Sequence, residues 1–173
     1  TGTSVLSSTV PSPTALNSTP ESTTVAEPAE LIETVRSLGP HAGDTASGVG
    51  LAVAFTTVDR PERGFAVLGQ MPEDWHDDIL LGMTFAYKAR SISAPEYFDA
   101  MMDTFDNDRR EAIIAAIGQC DAKETAIRAD GGIDGYRRWR MGLRDWLSEN
   151  VEYPLKKMKA AEPTTTGCVP VST

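Results

Sequence analysis

The sequence is short of the residues that most chemistries need. It holds two cysteines, Cys120 and Cys168, and two histidines, His41 and His76. Two cysteines make neither a disulfide framework nor a four-thiolate zinc site. No Gly-x-Ser-x-Gly elbow occurs, and no cysteine or histidine sits in a recognisable nucleophile context. The glycines between Gly39 and Gly50 match neither G-x-x-x-x-G-K-[ST] nor G-x-G-x-x-G, which disfavours a nucleotide enzyme. No cofactor is therefore expected. Basic residues are scarce too, 16 Lys and Arg against 25 Asp and Glu, for a net charge of −9 and a pI near 4.7. An acidic field repels phosphate backbones, so nucleic acid is not an expected partner. No apolar run approaches the ~18–20 residues that span a bilayer. No basic cap leads into an apolar stretch at the N-terminus, so no signal peptide is visible, although a secreted chain that had lost one would look the same. The simplest expectation is a soluble protein of a reducing compartment, cytoplasmic or within a large particle, with no membrane contact.

Aromatic residues are absent from both ends. All twelve lie between Phe55 and Tyr153, and all six methionines between Met71 and Met158. Large apolar groups supply most of the free energy of burial, roughly 25 cal/mol per Å² removed from water, so the core belongs inside that window. Residues 1–28 instead hold 17 Ser, Thr or Pro. Such a segment cannot offset chain entropy of ~1–2 kcal/mol per residue by itself. The sequence thus divides into a low-complexity extended arm over 1–30, a helical domain over 31–160 and a polar extended tail over 161–173.

Within the domain, Leu31, Ile32, Val35 and Leu38 recur at helical spacing until Gly39-Pro40. Residues 40–50 read as a loop around Gly43, Gly48 and Gly50. Leu51, Val53 and Phe55 alternate with Ala52, Ala54 and Thr56, which fits a strand, while the alanines also allow a buried helix. With the turn-like Asp59–Gly64 and the apolar run to Leu68, a short β-hairpin over 51–68 is one reading. After Pro72 the pattern is helical almost throughout. Ser93-Ala94-Pro95-Glu96 has the form of a capping box. Asp106 or Asn107 can cap a helix that stops at Gly118, Asp121 a short one that ends before Gly131-Gly132, and Asp134 a final one. The expectation is a mainly α protein, with a compact domain of five or six helices.

Two clusters could carry chemistry. Glu73, His76 and Asp77 are candidate metal ligands, since carboxylates with an imidazole can hold a divalent ion. The plainer reading is that acids collect at the positive end of a helix dipole. Asp103, Asp106, Asp108 and Glu111 lack the glycine and spacing of a calcium loop and read as caps and solvated residues. Near the C-terminal end, Arg137, Arg138, Arg140 and Arg144 interleave with Trp139 and Trp146. From Gly131 onward the chain holds seven basic and five acidic residues, while 31–130 holds nine basic and seventeen acidic. These arginines could pair with the acidic body of the same chain, contact another chain, or grip phosphates. As a partner-binding surface they suit a non-catalytic structural or assembly protein, a virion or other particle component whose arms dock on neighbouring chains in a homo- or hetero-oligomer. The alternatives are an accessory or regulatory subunit of a multi-subunit enzyme, and a helical enzyme or ligand-binding domain with a metal at residues 73–78.

Overall fold

A computed structural model of the chain describes residues 27–159; residues 1–26 of the expected arm, and the whole of the expected tail with Cys168, lie outside the described residues, while residues 28–30, also assigned to the arm, open the first helix. Among the described residues the chain forms seven α-helices: α1 (Pro28–Ser37), α2 (Ala42–Thr56), α3 (Pro61–Leu68), α4 (His76–Ser93), α5 (Pro95–Met102), α6 (Asn107–Asp130) and α7 (Gly135–Asn150). A two-residue antiparallel ribbon closes the domain, with β1 (Val151–Glu152) paired to β2 (Lys157–Met158).

Proline opens α1, α3 and α5 at the first helical positions, where its missing N–H removes no intrahelical bond. Asp106 caps α6 by accepting the Arg109 amide at 2.8 Å. Gly131 ends α6 in the left-handed region, φ 65°, which a side chain would resist.

The centre of the fold is α4, whose residues Ile79 to Thr84 are all buried and which meets α2, α5, α6 and α7. Its closest partner is α2. A Cβ at Gly82 would stand 1.8 Å from the Ser47 carbonyl oxygen, and one at Gly50 would stand 2.3 Å from that of Ile79. The two backbones therefore touch, and only residues without side chains fit at the crossing. Gly43, Ser47, Gly50 and Ala54 recur three or four apart and form the stripe that lies against α4.

This corrects the reading of residues 40–68. There is no loop over 40–50 and no hairpin over 51–68; α2 and α3 occupy the segment, and the hairpin among the described residues lies at Val151–Met158. The glycines cost helix propensity, about 1 kcal/mol each relative to alanine, and close packing on α4 compensates. Gly118 likewise does not stop a helix, since α6 runs through it for 24 residues. Nor does Ser93 act as a cap: it is the last residue of α4, and neither Ala94 before α5 nor Asp134 before α7 makes a side-chain capping bond.

The ribbon is fastened to the helices by Tyr153. Its hydroxyl donates to the Leu68 carbonyl at 2.6 Å, and its ring stacks on His76 with centroids 3.6 Å apart and planes within 2°. No helix among the described residues is long and apolar enough to cross a membrane.

Candidate functional site

Helix α7 has two sides of different character. Leu143 and Leu147 are fully buried, and Trp139 and Trp146 pack beside them against the core. The Trp139 indole N–H donates to the Cys120 carbonyl at 2.9 Å, and its ring lies 5.0 Å from that of Phe85. Both tryptophans of the predicted surface thus join α7 to the body of the domain.

The arginines divide differently. Arg144 reaches the first turn of α4, where Nε lies 2.8 Å from Asp78 Oδ1 and Nη2 lies 3.3 Å from Oδ2, with Asp77 at 3.9 Å. The Asp78 hydrogen bond holds the guanidinium pKa above its ordinary value, against the opposing effect of burial. Arg140 reaches the first turn of α2, 3.2 Å from Asp44, and its Nε is buried without a hydrogen-bond partner. Arg138 pairs with Asp130 at the end of α6. Of the four, Arg137 alone enters no ion pair among the described residues. Asp44, Asp77 and Asp78 serve two purposes here: each sits in the first turn of a helix, where the dipole favours a negative charge, and each faces an α7 arginine.

Beside these pairs lies a cleft of about 320 Å³ lined by Asp44, Asp78, Tyr136, Arg137, Arg140 and Met141, among others. On the other side of Tyr136, between the last turn of α6 and the first of α7, a second cleft of about 470 Å³ is walled by Ile127, Tyr136 and Trp139 and floored by Gly131, Gly132 and Gly135. Apolar side chains stand unburied in this stretch of chain: Ile133 is fully exposed, Tyr136, which lines both clefts, is 67% exposed, and Met141 is 52% exposed. The first turns of α7 and the turn that leads into them therefore combine an unpaired cation with three large apolar groups that nothing covers among the described residues. A wider cleft of about 680 Å³ lies apart from this region, between the end of α2 and α3, lined by Val53, Val67, Arg60 and Arg63 among others.

The candidate metal ligands are not brought together. His76 Nε2 lies 3.0 Å from the Met71 carbonyl oxygen and its ring is stacked on Tyr153. Asp77 faces Arg144, and Glu73 belongs to the separate 3₁₀ turn that precedes α4. Among the described residues no three His, Cys, Asp or Glu side chains form a group able to hold a metal ion. Cys120 is buried, and its thiol is pushed up to about 11 by that burial and secondarily by the Asp121 carboxylate, the opposite of an activated nucleophile.

Sequence reasoning found the arginines but missed Asp44, Ile133, Tyr136 and Met141 as their neighbours. The spacing of 137, 140, 141 and 144 already places those four on adjoining positions of one helix surface. The acids facing them come from elements far away in the chain, and no local pattern reveals them. No protein-family model matches the chain, and neither the comparison with curated proteins nor that with solved structures returns a match.

Proposed function

We propose that this chain is a docking component of a larger multi-chain assembly, and that the exposed first turns of α7 are the surface it offers to other chains. The observation that carries this reading is the combination of Arg137, Tyr136 and Met141 uncovered at the start of α7 beside two clefts, with Ile133 fully exposed in the turn before the helix. Arginine and large aromatic residues dominate the energetics of protein contacts, because each buries much area and Arg adds directional hydrogen bonds. A contiguous exposed apolar patch with a polar rim is the ordinary mark of an interaction site. Arg138, Arg140 and Arg144 support the same reading indirectly. Their ion pairs tie α7 to α2, α4 and α6, so the docking surface stands on a fixed helix and loses little entropy on binding. An accessory subunit of an enzyme would use this surface in the same way, with a catalytic chain as the partner.

The test is a photoreactive residue placed at Met141, with a control at Arg63 on the remote cleft, in the full chain and in the native complex. Adducts to another polypeptide at position 141, and none at the control position, are the expected outcome. Equal yields at the two positions would remove the reading.

A further inference from the structure

We infer that the occupant of the α7 surface is the α5 surface of a second copy of this chain. The inference rests on the docking reading and names its partner.

Helix α5 turns Phe98, Met101 and Met102 inward, which leaves Glu96, Tyr97, Asp99 and Ala100 on its outer arc. Glu96 and Asp99, three apart and so on one side, enter no ion pair among the described residues. Tyr97 between them is 69% exposed, as is Ile92 near the end of α4. The complementarity to the α7 surface is local: carboxylates without an ion pair around an exposed tyrosine, against the one arginine of that surface without an ion pair, Arg137, beside exposed Tyr136 and Met141. Arg137 supplies a full set of free donors at the cleft mouth, and a carboxylate is the acceptor they fit best, through a charge-assisted and potentially bidentate bond.

The two surfaces cannot meet within one chain. The α5–α6 turn lies at the start of α6, while the first turn of α7 packs on its far end, where a Cβ at Gly135 would lie 3.1 Å from Ile127 Cγ2. At about 1.5 Å per residue, the stretch of α6 between Asn107 and Ile127 holds them roughly 30 Å apart. Only another molecule can bring Glu96 and Asp99 to Arg137. Two copies lying antiparallel would satisfy both ends at once, and copies joined in series would build a ring or filament. Each surface offers only one or two free charges and a few exposed apolar side chains, fewer than the roughly 20–30 residues a side of a standard interface, so the association is a weak one, about micromolar or weaker.

The experiment is sedimentation velocity of the full chain over a range of concentrations at low salt, with Arg137→Glu, with the pair Glu96→Lys and Asp99→Lys, and with all three changes together. Mass should rise with concentration in the wild type. Each charge reversal should weaken association by about tenfold or more, and the combined exchange should restore it. Tyr97→Ala, which changes no charge, provides a second probe should a reversal impair folding, and it too should weaken association. A chain that sediments as a monomer at every concentration would overturn the inference, as would association that ignores all four variants, or reversals that the combined exchange does not rescue. The cross-linking at position 141 separates the two failures. Adducts to a different polypeptide, from a chain that is itself monomeric, would leave the docking reading standing and discard the second copy; no adducts above the control would discard both.

Discussion

Gly82 of α4 lies directly against the Ser47 carbonyl of α2, so close that a methyl group at position 82 would stand 1.8 Å from that oxygen. The crossing of these two helices fixes where the first turns of α2 and α4 lie, and hence where Asp44 and Asp78 stand to receive Arg140 and Arg144. The α7 surface proposed for docking is thus held in place by an absence of side chains elsewhere in the chain.

Two alanine substitutions should accordingly have opposite signs. Gly82→Ala drives a methyl group into backbone that cannot move aside, and should cost about 3 kcal/mol or more, at the upper end of overpacking effects. Gly118→Ala, on the exposed side of α6 with nothing within 4 Å of the added methyl, should stabilise by roughly 0.5–1 kcal/mol through helix propensity and lost chain entropy. Urea unfolding of both variants checks the pair, and a Gly82→Ala protein as stable as wild type would refute the close crossing.

The Arg144–Asp78 pair should behave as one partly buried, two-bond contact. Arg144→Lys keeps the charge but loses the fork, and should destabilise by about 1 kcal/mol. A double-mutant cycle with Arg144→Met and Asp78→Asn should give a coupling of about 1–2 kcal/mol, above that of exposed pairs, because the Asp78 side chain is only 18% exposed. A coupling near zero would mean that this pair takes no part in positioning α7 on α4.

Alkali should weaken the fold. Burial pushes the Cys120 thiol from its ordinary 9.0 to about 11, and it raises the Tyr153 and Tyr87 phenols as well. In each case the folded state keeps its proton where the unfolded chain has lost it. The unfolded state thus binds fewer protons above about pH 9, and stability must fall as pH rises. It is fully present below the unfolded value and lost progressively as pH climbs through the folded one. Thermal melts between pH 7 and 11 should show Tm dropping from about pH 9, with the lower part of the drop flattened in Cys120→Ala and the upper part in Tyr153→Phe. A Tm that stays level to pH 11 would contradict the burial of these groups.

The helices that carry a wide apolar stripe were legible in the sequence. Phe98, Met101 and Met102 marked α5, and Leu143, Trp146 and Leu147 marked α7, because one buried face at helical spacing is a local property; Tyr97 shares the spacing of the α5 residues but stands outside that face, 69% exposed. Helix α2 hid because its contacting face is made of Gly43, Ser47, Gly50 and Ala54, which read locally as a loop and a strand and make sense only with Gly82 opposite. Helix α6 read as two because Gly118 looked like a stop, yet Ala116 and Cys120 on either side of it are buried and hold the helix through. The ribbon at 151–158 has two residues per strand, too few for any alternation to register. For the candidate site, the arginines were visible as a cluster. Which of them would be neutralised was not, because Asp78 lies 66 residues from Arg144. Only the fold separates Arg137 from its three paired neighbours.

The most direct test of the docking account is amide hydrogen exchange on the isolated chain at low concentration and on the native assembly. The account predicts that residues 133–141 exchange markedly more slowly in the assembly, while those around Gly118 on α6 exchange equally in both. Identical exchange of residues 133–141 in the two states would contradict it.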